Sequence, residues 1–185
     1  SKTLIKESAA FVVTGNGSPM ASRVDPAFAA AIKGNPLSVL SDYLGSLRAT
    51  QLWFHAAHNL TKGTGFAGDH VNLYGEIYQQ LQEDFDVAVE KSIGLTQDEG
   101  IGCPIKITGD ALKILQEVPS PSNMPAIDIA MTALALIQNH IRILTDIFSS
   151  LESSNSLPLG LNDFLAASAN KYDTYVYLLA QRIKE

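Results

Sequence analysis

Hydrophobic residues recur at helical spacing through most of this sequence, and strand-like alternation is nearly absent. The first helical stretch begins at Asn35-Pro36, since Asn suits a helix cap and Pro the first helical position, and it runs to about Asn59. Three more stretches cover about residues 69–93, 126–153 and 162–185. Each has one apolar face that needs a partner, so the pattern predicts a helical bundle.

A long connection separates the second and third of these helices. It holds several Gly and Pro residues, a short helical stretch over residues 111–118 and the breaker run 119–122. Four long helices with one long crossover form the arrangement of ferritin-like proteins. The sequence therefore predicts an all-α, ferritin-like four-helix bundle over residues 36–185 with a short extra helix in the crossover, and an extended or partly ordered arm over residues 1–35.

The composition excludes several classes of protein. With 46% hydrophobic and 17% charged residues, the chain is typical of a compact domain and not of disorder. A net charge of −6 is unsuited to coating nucleic acid and favours attraction of cations. One cysteine, Cys103, fits a reducing compartment. We found no signal-like start and no apolar run near the ~20 residues of a membrane span, so we expect a cytoplasmic protein without membrane contact.

Metal-ligating side chains are concentrated around the first interhelix turn. Three of the four histidines, His55, His58 and His70, lie within sixteen residues, and Asp86 and Glu90 follow on the second helix. A spacing of four puts both carboxylates on one helical face. Imidazole with carboxylate suits iron, zinc or manganese. The spacing alone also fits a solvated helix face, so it leaves both interpretations open.

A resemblance to a known family strengthens the metal interpretation. The segment Ala57-His58-Asn59, followed by Lys62-Gly63, Phe66 and His70, resembles the signature of the Dps family (mini-ferritins, DNA-binding proteins from starved cells), in which the second His follows the first by twelve residues. Asp86 and Glu90, followed by Ile93-Gly94, are similar to the family's Asp and Glu four residues apart. The last helix is also similar, so the resemblance covers residues 37–185.

The resemblance implies a specific function. Dps-type subunits assemble as dodecameric cages with the iron site between two subunits related by a twofold axis. His58 and His70 would come from one chain, and Asp86 and Glu90 from its partner. The site would act as a ferroxidase that oxidises Fe(II), preferably with hydrogen peroxide. Ferric mineral would be stored in the cavity, and the consumption of peroxide would protect against oxidative damage.

The sequence departs from the family pattern at the second His. The family has an Asp four residues later, where this chain has Tyr74, and counting back from Asp86 puts the same slot at Gly75. The separation of His70 from Asp86 is thus one residue too long, which a later helix start or a one-residue bulge would absorb. Three side chains are candidate substitutes for the family Asp: His55, Asp69 and Glu76. We favour His55 as a supplementary metal ligand.

Two alternatives follow from these departures. One is a Dps-like cage that binds zinc, or associates with DNA, with little or no ferroxidase turnover; the extra histidine and the missing family Asp favour it. A further departure is Asn59, where the family commonly has Trp. The other, a ferritin with its di-iron centre inside the bundle, needs Glu-x-x-His pairs, which the sequence lacks. We expect DNA binding to be weak or absent. His140 is predicted to be a hydrogen-bonded structural histidine.

Overall fold

The computed structural model describes residues 36–184, with side chains from Ser38 onward. This range contains no β-strand, which confirms the all-α prediction. The predicted arm of residues 1–35 lies outside the described residues. The elements are, in chain order, α1 (Pro36–Leu60), a π-helical segment (Gly68–Gly75), α2 (Glu76–Thr96), a 3₁₀ turn (Glu99–Gly102), α3 (Pro104–Glu117), α4 (Ala126–Ser153) and α5 (Leu159–Arg182).

Four long helices form the predicted bundle. Helix α1 packs against α2, α4 packs against α5, and α1 also contacts α4. The crossover between α2 and α4 contains α3, which lies against α1 and is tied to it where Trp53 Nε1 donates a hydrogen bond to the Pro119 carbonyl (2.8 Å). The prediction of a four-helix bundle with an extra helix in its crossover is therefore confirmed.

The helix ends agree with the sequence for α4 and differ for α2, α3 and α5, the last of which spans Leu159–Arg182 and not residues 162–185. Helix α4 has the predicted bounds. Helix α2 does not end at Gly94, because its last residue is Thr96 and Gln97 terminates it in the left-handed region (φ 56°). Helix α3 begins at Pro104 and not at residue 111, since Pro occupies the first turn without losing a hydrogen bond.

A π-helical segment lies between the first loop and α2. It spans Gly68–Gly75, within a helical run that begins at Phe66. A π-helical turn holds one more residue than an α-helical turn, so it absorbs a single inserted residue without changing the phase of the helix beyond it. Of the two explanations for the extra residue between His70 and Asp86, the bulge is therefore confirmed.

The core is mainly apolar, and Asp84 and His140 are among the few polar side chains buried at central helix positions. The central positions of α2 are Ile77, Leu81, Asp84 and Ala88, whereas the apolar neighbour of Asp84, Phe85, is only partly buried. His140 is fully buried in α4 as predicted. Contrary to the prediction, neither of its ring nitrogens has a hydrogen-bond partner within the described part of the chain.

Helix α4 is also long and apolar enough to cross a membrane, by length and composition alone, and no other helix of residues 36–184 is. The sequence had suggested no such stretch. In the most apolar 18-residue stretch of α4, 44% is buried inside the bundle. The core helix of a helical bundle meets the same criterion, so length and composition are weak evidence for a membrane span.

The burial of His140 predicts how stability depends on pH. Desolvation lowers the pKa of His140 to about 3 from its ordinary 6.5. Between these values the unfolded chain binds the proton and the folded protein does not, so stability falls as the pH drops below 6.5. We expect His140→Leu to reduce the stability difference between pH 7 and pH 5 by about 2 kcal/mol. Urea unfolding of both proteins at both pH values measures it, and an unchanged difference would contradict a neutral His140.

Candidate metal centre

Two histidines hold each other through their backbone carbonyls at the end of α1. His58 Nδ1 donates to the His70 carbonyl (2.5 Å), and His70 Nδ1 donates to the His58 carbonyl (2.6 Å). The rings stack with centroids 3.8 Å apart and planes inclined by 14°. The carbonyl of His58 belongs to the last turn of α1, which has no helical partner for it, so the imidazole of His70 satisfies this group.

This exchange of hydrogen bonds determines the tautomer of both rings. A carbonyl oxygen can only accept, so each Nδ1 carries its proton and each neutral ring keeps a lone pair on Nε2. Both side chains are half-buried, so an edge of each reaches the surface. A backbone partner that orients an imidazole is the usual support of a metal-ligating histidine. The partial negative charge at the end of α1 further favours a cation nearby.

Other aromatic rings extend the stack around this pair. Phe66 stacks on His70 (5.0 Å between centroids), and Tyr78 of α2 contacts both His55 (4.7 Å) and His58 (5.1 Å). His55 is exposed, and its ring lies 6.4 Å from that of His58. Tyr78 was not among the predicted site residues, although its place about two helical turns before Asp86 could have drawn attention to it.

The three substitutes for the family Asp lie in different surroundings. Arg182 of α5 donates to both carboxylate oxygens of Asp69, at 2.9 and 3.1 Å, and the Asp69 side chain is only 4% exposed. Glu76 is two residues from Tyr78, which places it on the opposite side of α2, where its charge contributes to raising the pKa of Tyr175 after burial itself. His55 is therefore the substitute that the fold brings next to His58.

Gly75, the position that counting back from Asp86 assigns to the family Asp, has no room for a side chain. A Cβ atom at Gly75 would lie 2.7 Å from the His70 carbonyl oxygen and 3.2 Å from His58 Nδ1. The space that a carboxylate would need is thus filled by the histidine pair itself. Gly75 has helical dihedrals (φ −61°), so close packing and not backbone freedom explains a glycine here.

The two carboxylates lie farther along α2, on a row that turns by about 40° around the helix at each step of four residues. Tyr78, Gln82, Asp86 and Glu90 form one row along α2 at intervals of four residues, and Gln82 Nε2 approaches Asp86 Oδ1 at 3.5 Å. Arg48 of α1 donates to Gln82 Oε1 (3.0 Å), so this row borders α1. Asp86 and Glu90 are exposed and lie about 12 and about 18 Å beyond Tyr78 along the helix axis.

A single chain therefore presents two separate groups of ligands. Within the side chains that the structure describes, no three His, Cys, Asp or Glu residues are placed to hold one metal ion. The imidazoles of His58 and His70 lie at one end of the α1–α2 face, and the carboxylates of Asp86 and Glu90 lie towards the other. We call these the histidine half-site and the carboxylate half-site.

Comparison with known proteins identifies the architecture. No protein-family model and no curated protein matches the chain. Among solved structures, Dps from Thermosynechococcus elongatus aligns with a TM-score of 0.68 and 17% identity, over 85% of this chain and 95% of that one. The chain has the ferritin-like fold of Dps proteins.

Two further structures support this Dps-like assignment of the fold. The Dps protein of Vibrio cholerae O1 has a TM-score of 0.65 and 15% identity over 91% of this chain and all of its own; it is described as a member of a broad superfamily of ferritin-like diiron-carboxylate proteins. An archaeal Dps homologue from Halobacterium salinarum has a TM-score of 0.63 and 12% identity over 88% of this chain and 84% of its own. The Dps-like bundle is thus retained in a strongly diverged sequence.

Gly75 predicts a steric test of the histidine half-site. In Gly75→Ala the new Cβ would overlap the His70 carbonyl, so we expect the His58–His70 hydrogen bonds to break. Nuclear magnetic resonance of the imidazole Nδ1 protons should show both signals lost to exchange. Gly94→Ala is the control, because no atom lies within 4 Å of its added Cβ and Ala favours a helix by about 0.5–1 kcal/mol. Protected Nδ1 protons in Gly75→Ala would contradict this packing.

The ion pair of Asp69 predicts a stability test. Arg182→Gln leaves the Asp69 carboxylate buried without its charged partner, and we expect the free energy of unfolding to fall by about 3 kcal/mol. Lys113→Gln, which removes an exposed partner of Asp110, should leave it nearly unchanged. Urea unfolding measures both, and equal effects of the two substitutions would show that the Asp69–Arg182 pair is no stronger than a surface pair.

Proposed function

We propose that this protein is a subunit of an iron-binding and iron-storing cage that oxidises Fe(II). His58 and His70 of one subunit and Asp86 and Glu90 of its twofold partner are the proposed ligands, with His55 as a supplementary ligand. The single observation that carries the proposal is the reciprocal hydrogen bonding of His58 and His70, because it leaves both Nε2 lone pairs free to bind a cation.

The separation of the half-sites supports a shared site. In a twofold interface, if residue i of one subunit meets residue j of the other, then j also meets i. A twofold axis through the middle of the α1–α2 face, near Gln82, would bring each histidine half-site onto the partner's carboxylate half-site. Two equivalent sites would then form in each dimer, although neither chain alone has the ligands for one.

The ligand chemistry suits the oxidation of iron. Carboxylates bind Fe(III) more strongly than Fe(II), so Asp86 and Glu90 would lower the energy of the oxidised state, while the neutral imidazoles hold either form. With hydrogen peroxide, two Fe(II) and two protons give two Fe(III) and two molecules of water. Because both electrons reach one peroxide, no hydroxyl radical is released, and a role in protection against oxidative damage follows.

The structural neighbours support the wider setting of this proposal. The description of the Vibrio cholerae protein as ferritin-like and diiron-carboxylate favours iron over other metals. By analogy with Dps proteins we propose a cytoplasmic dodecamer that stores ferric mineral in its cavity. We propose weak or absent DNA binding, since the chain carries a net charge of −6.

A zinc-binding cage with little turnover is the second candidate. Gly75 occupies the slot where the family has an Asp, and His55 lies beside His58, so this chain has fewer carboxylates and more imidazole than the family pattern. Nitrogen-rich sets favour zinc. Zinc that binds tightly and blocks Fe(II) oxidation would support this candidate.

Iron oxidation tests the proposed function directly. Fe(II) and hydrogen peroxide are mixed with the assembled protein, and the ferric absorbance is followed with time. We expect the protein to accelerate the reaction over buffer and Glu90→Gln to reduce the rate by about 10- to 100-fold, as for loss of a metal-site partner. Glu152→Gln, an exposed acid near the end of α4 and outside both half-sites, is the control. A rate equal to that in buffer rejects the ferroxidase and leaves the zinc candidate.

Mixed assemblies test whether the site is shared. His58→Ala and Glu90→Gln each inactivate both sites of their own homodimer. In a mixed dimer one site receives His58 and Glu90 from the two intact positions, and the other receives neither. Co-assembly should therefore restore one of the two sites in every mixed dimer. No recovery of ferric formation on co-assembly would mean that the ligands do not come from two chains.

A further inference from the structure

A buried phenol–carboxylate pair lies in the bundle core, apart from both half-sites. The hydroxyl group of Tyr172 in α5 donates a hydrogen bond to Asp84 Oδ2 (2.5 Å), and Gln80 Nε2 donates one to Asp84 Oδ1 (2.9 Å). Tyr172 is fully buried and Asp84 is 6% exposed. A lone carboxylate is costly in such a place, and the metal centre does not use it. This pair therefore needs its own explanation.

The other tyrosines of the core lack this arrangement. Tyr43 and Tyr74 are equally buried, but their hydroxyl groups have no hydrogen-bond partner among the described residues. Burial, reinforced by the nearby charge of Asp84, raises the pKa of Tyr172 well above its ordinary value, so the phenol keeps its proton at neutral pH. Of these three tyrosines, Tyr172 alone has a base in contact.

A base in contact makes a buried phenol easier to oxidise. Loss of an electron from an isolated phenol leaves a cation radical in a medium of low polarity, which is unfavourable. At Tyr172 the phenolic proton can move to Asp84 as the electron leaves, giving a neutral tyrosyl radical and a neutral carboxylic acid. The net charge of the pair changes from −1 to zero, so oxidation removes a buried charge.

We propose that Tyr172 and Asp84 form a one-electron donor that completes the reduction of peroxide when a single Fe(II) is bound; this rests on the proposed ferroxidase function. One Fe(II) gives one electron, and Tyr172 gives the second. The balance is Fe(II) plus hydrogen peroxide plus phenol plus the Asp84 carboxylate, giving Fe(III), two hydroxide ions, a tyrosyl radical and the protonated Asp84 acid. Peroxide is then fully reduced, and no hydroxyl radical is released.

The surroundings of the pair suit this electron transfer. Asp84 lies on the same helix as Tyr78, which contacts His55 and His58, and is about 9 Å from it along the helix axis. The ring of Tyr172 lies 4.7 Å from His140 and 6.0 Å from Tyr175.

Radical trapping at low iron loading tests the proposal. The assembled protein is given one Fe(II) per site and then peroxide, freeze-quenched, and examined by electron paramagnetic resonance with and without ring-deuterated tyrosine. We expect a tyrosyl signal in the wild type that is lost in Tyr172→Phe and kept in the matched control Tyr74→Phe. A spin trap should capture more hydroxyl radical from Tyr172→Phe. A signal that survives in Tyr172→Phe overturns the proposal.

Asp84→Asn keeps every tyrosine and removes the base. We expect the radical to be lost in this variant as well. If Tyr172→Phe does not fold, Asp84→Asn provides the test of the proposed donor pair. An undiminished radical in folded Asp84→Asn would show that the carboxylate takes no proton. Ferric formation at two Fe(II) per site should remain at the wild-type rate in both variants, because two Fe(II) supply both electrons.

An iron-free arm separates this proposal from the ferroxidase function. A photoexcited ruthenium complex with a sacrificial acceptor generates a one-electron oxidant without metal at the half-sites. The radical should again be lost in Tyr172→Phe and kept in Tyr74→Phe. If the wild type forms no ferric iron but shows the Tyr172 radical in this photochemical experiment, the ferroxidase function is rejected and the donor pair is supported. If it forms ferric iron but no radical on Tyr172 in either arm, the donor pair fails alone.

Discussion

The mutual hydrogen bonding of His58 and His70 is the contact on which the candidate centre depends. It joins the last turn of α1 to the π-helical segment, satisfies a terminal carbonyl of α1 and determines both tautomers. The contact is close enough that a side chain at Gly75 could not be accommodated. Because the π-helical segment absorbs one extra residue, the pair forms while α2 keeps its phase and carries Asp86 and Glu90 two and three steps of four residues beyond Tyr78.

The π-helical segment is held from the other side by α5. Asp69 adjoins His70 in sequence, and both of its carboxylate oxygens accept hydrogen bonds from Arg182. The end of the last helix thus restrains the backbone that carries one of the two imidazoles. A buried ion pair is a costly way to stabilise a fold. Here it also fixes a segment whose geometry is less regular than that of an α-helix.

The bundle core combines apolar packing with a few polar groups that the packing does not require. Asp84, Tyr172 and His140 come from three helices and lie among aliphatic and aromatic side chains. Replacing such groups with apolar residues is often neutral or stabilising. Their presence is more easily explained by chemistry than by stability. The proposed metal ligands, by contrast, lie partly or fully exposed on the single chain, and assembly would be needed to bring them together.

Local patterns in the sequence were sufficient for the architecture. Helical periodicity and helix-stop residues predicted the four long helices and the crossover, with α4 at its observed bounds. The extra residue between His70 and Asp86 predicted either a later helix start or a bulge, and a π-helical segment is present there. The helix end predicted at Gly94 was wrong, because a glycine at an exposed helical position reduces helix stability only slightly and does not end a helix by itself.

Contacts between distant residues were decided by the tertiary structure alone. Tyr172 and Asp84 are 88 positions apart, and Arg182 and Asp69 are 113 apart. The sequence determined which face of each helix is apolar, since that depends on residues three and four apart. It could not determine the rotation and offset of one helix against another, because these follow from the packing of all the side chains together, and that packing placed Asp84 in the core and His55 beside His58.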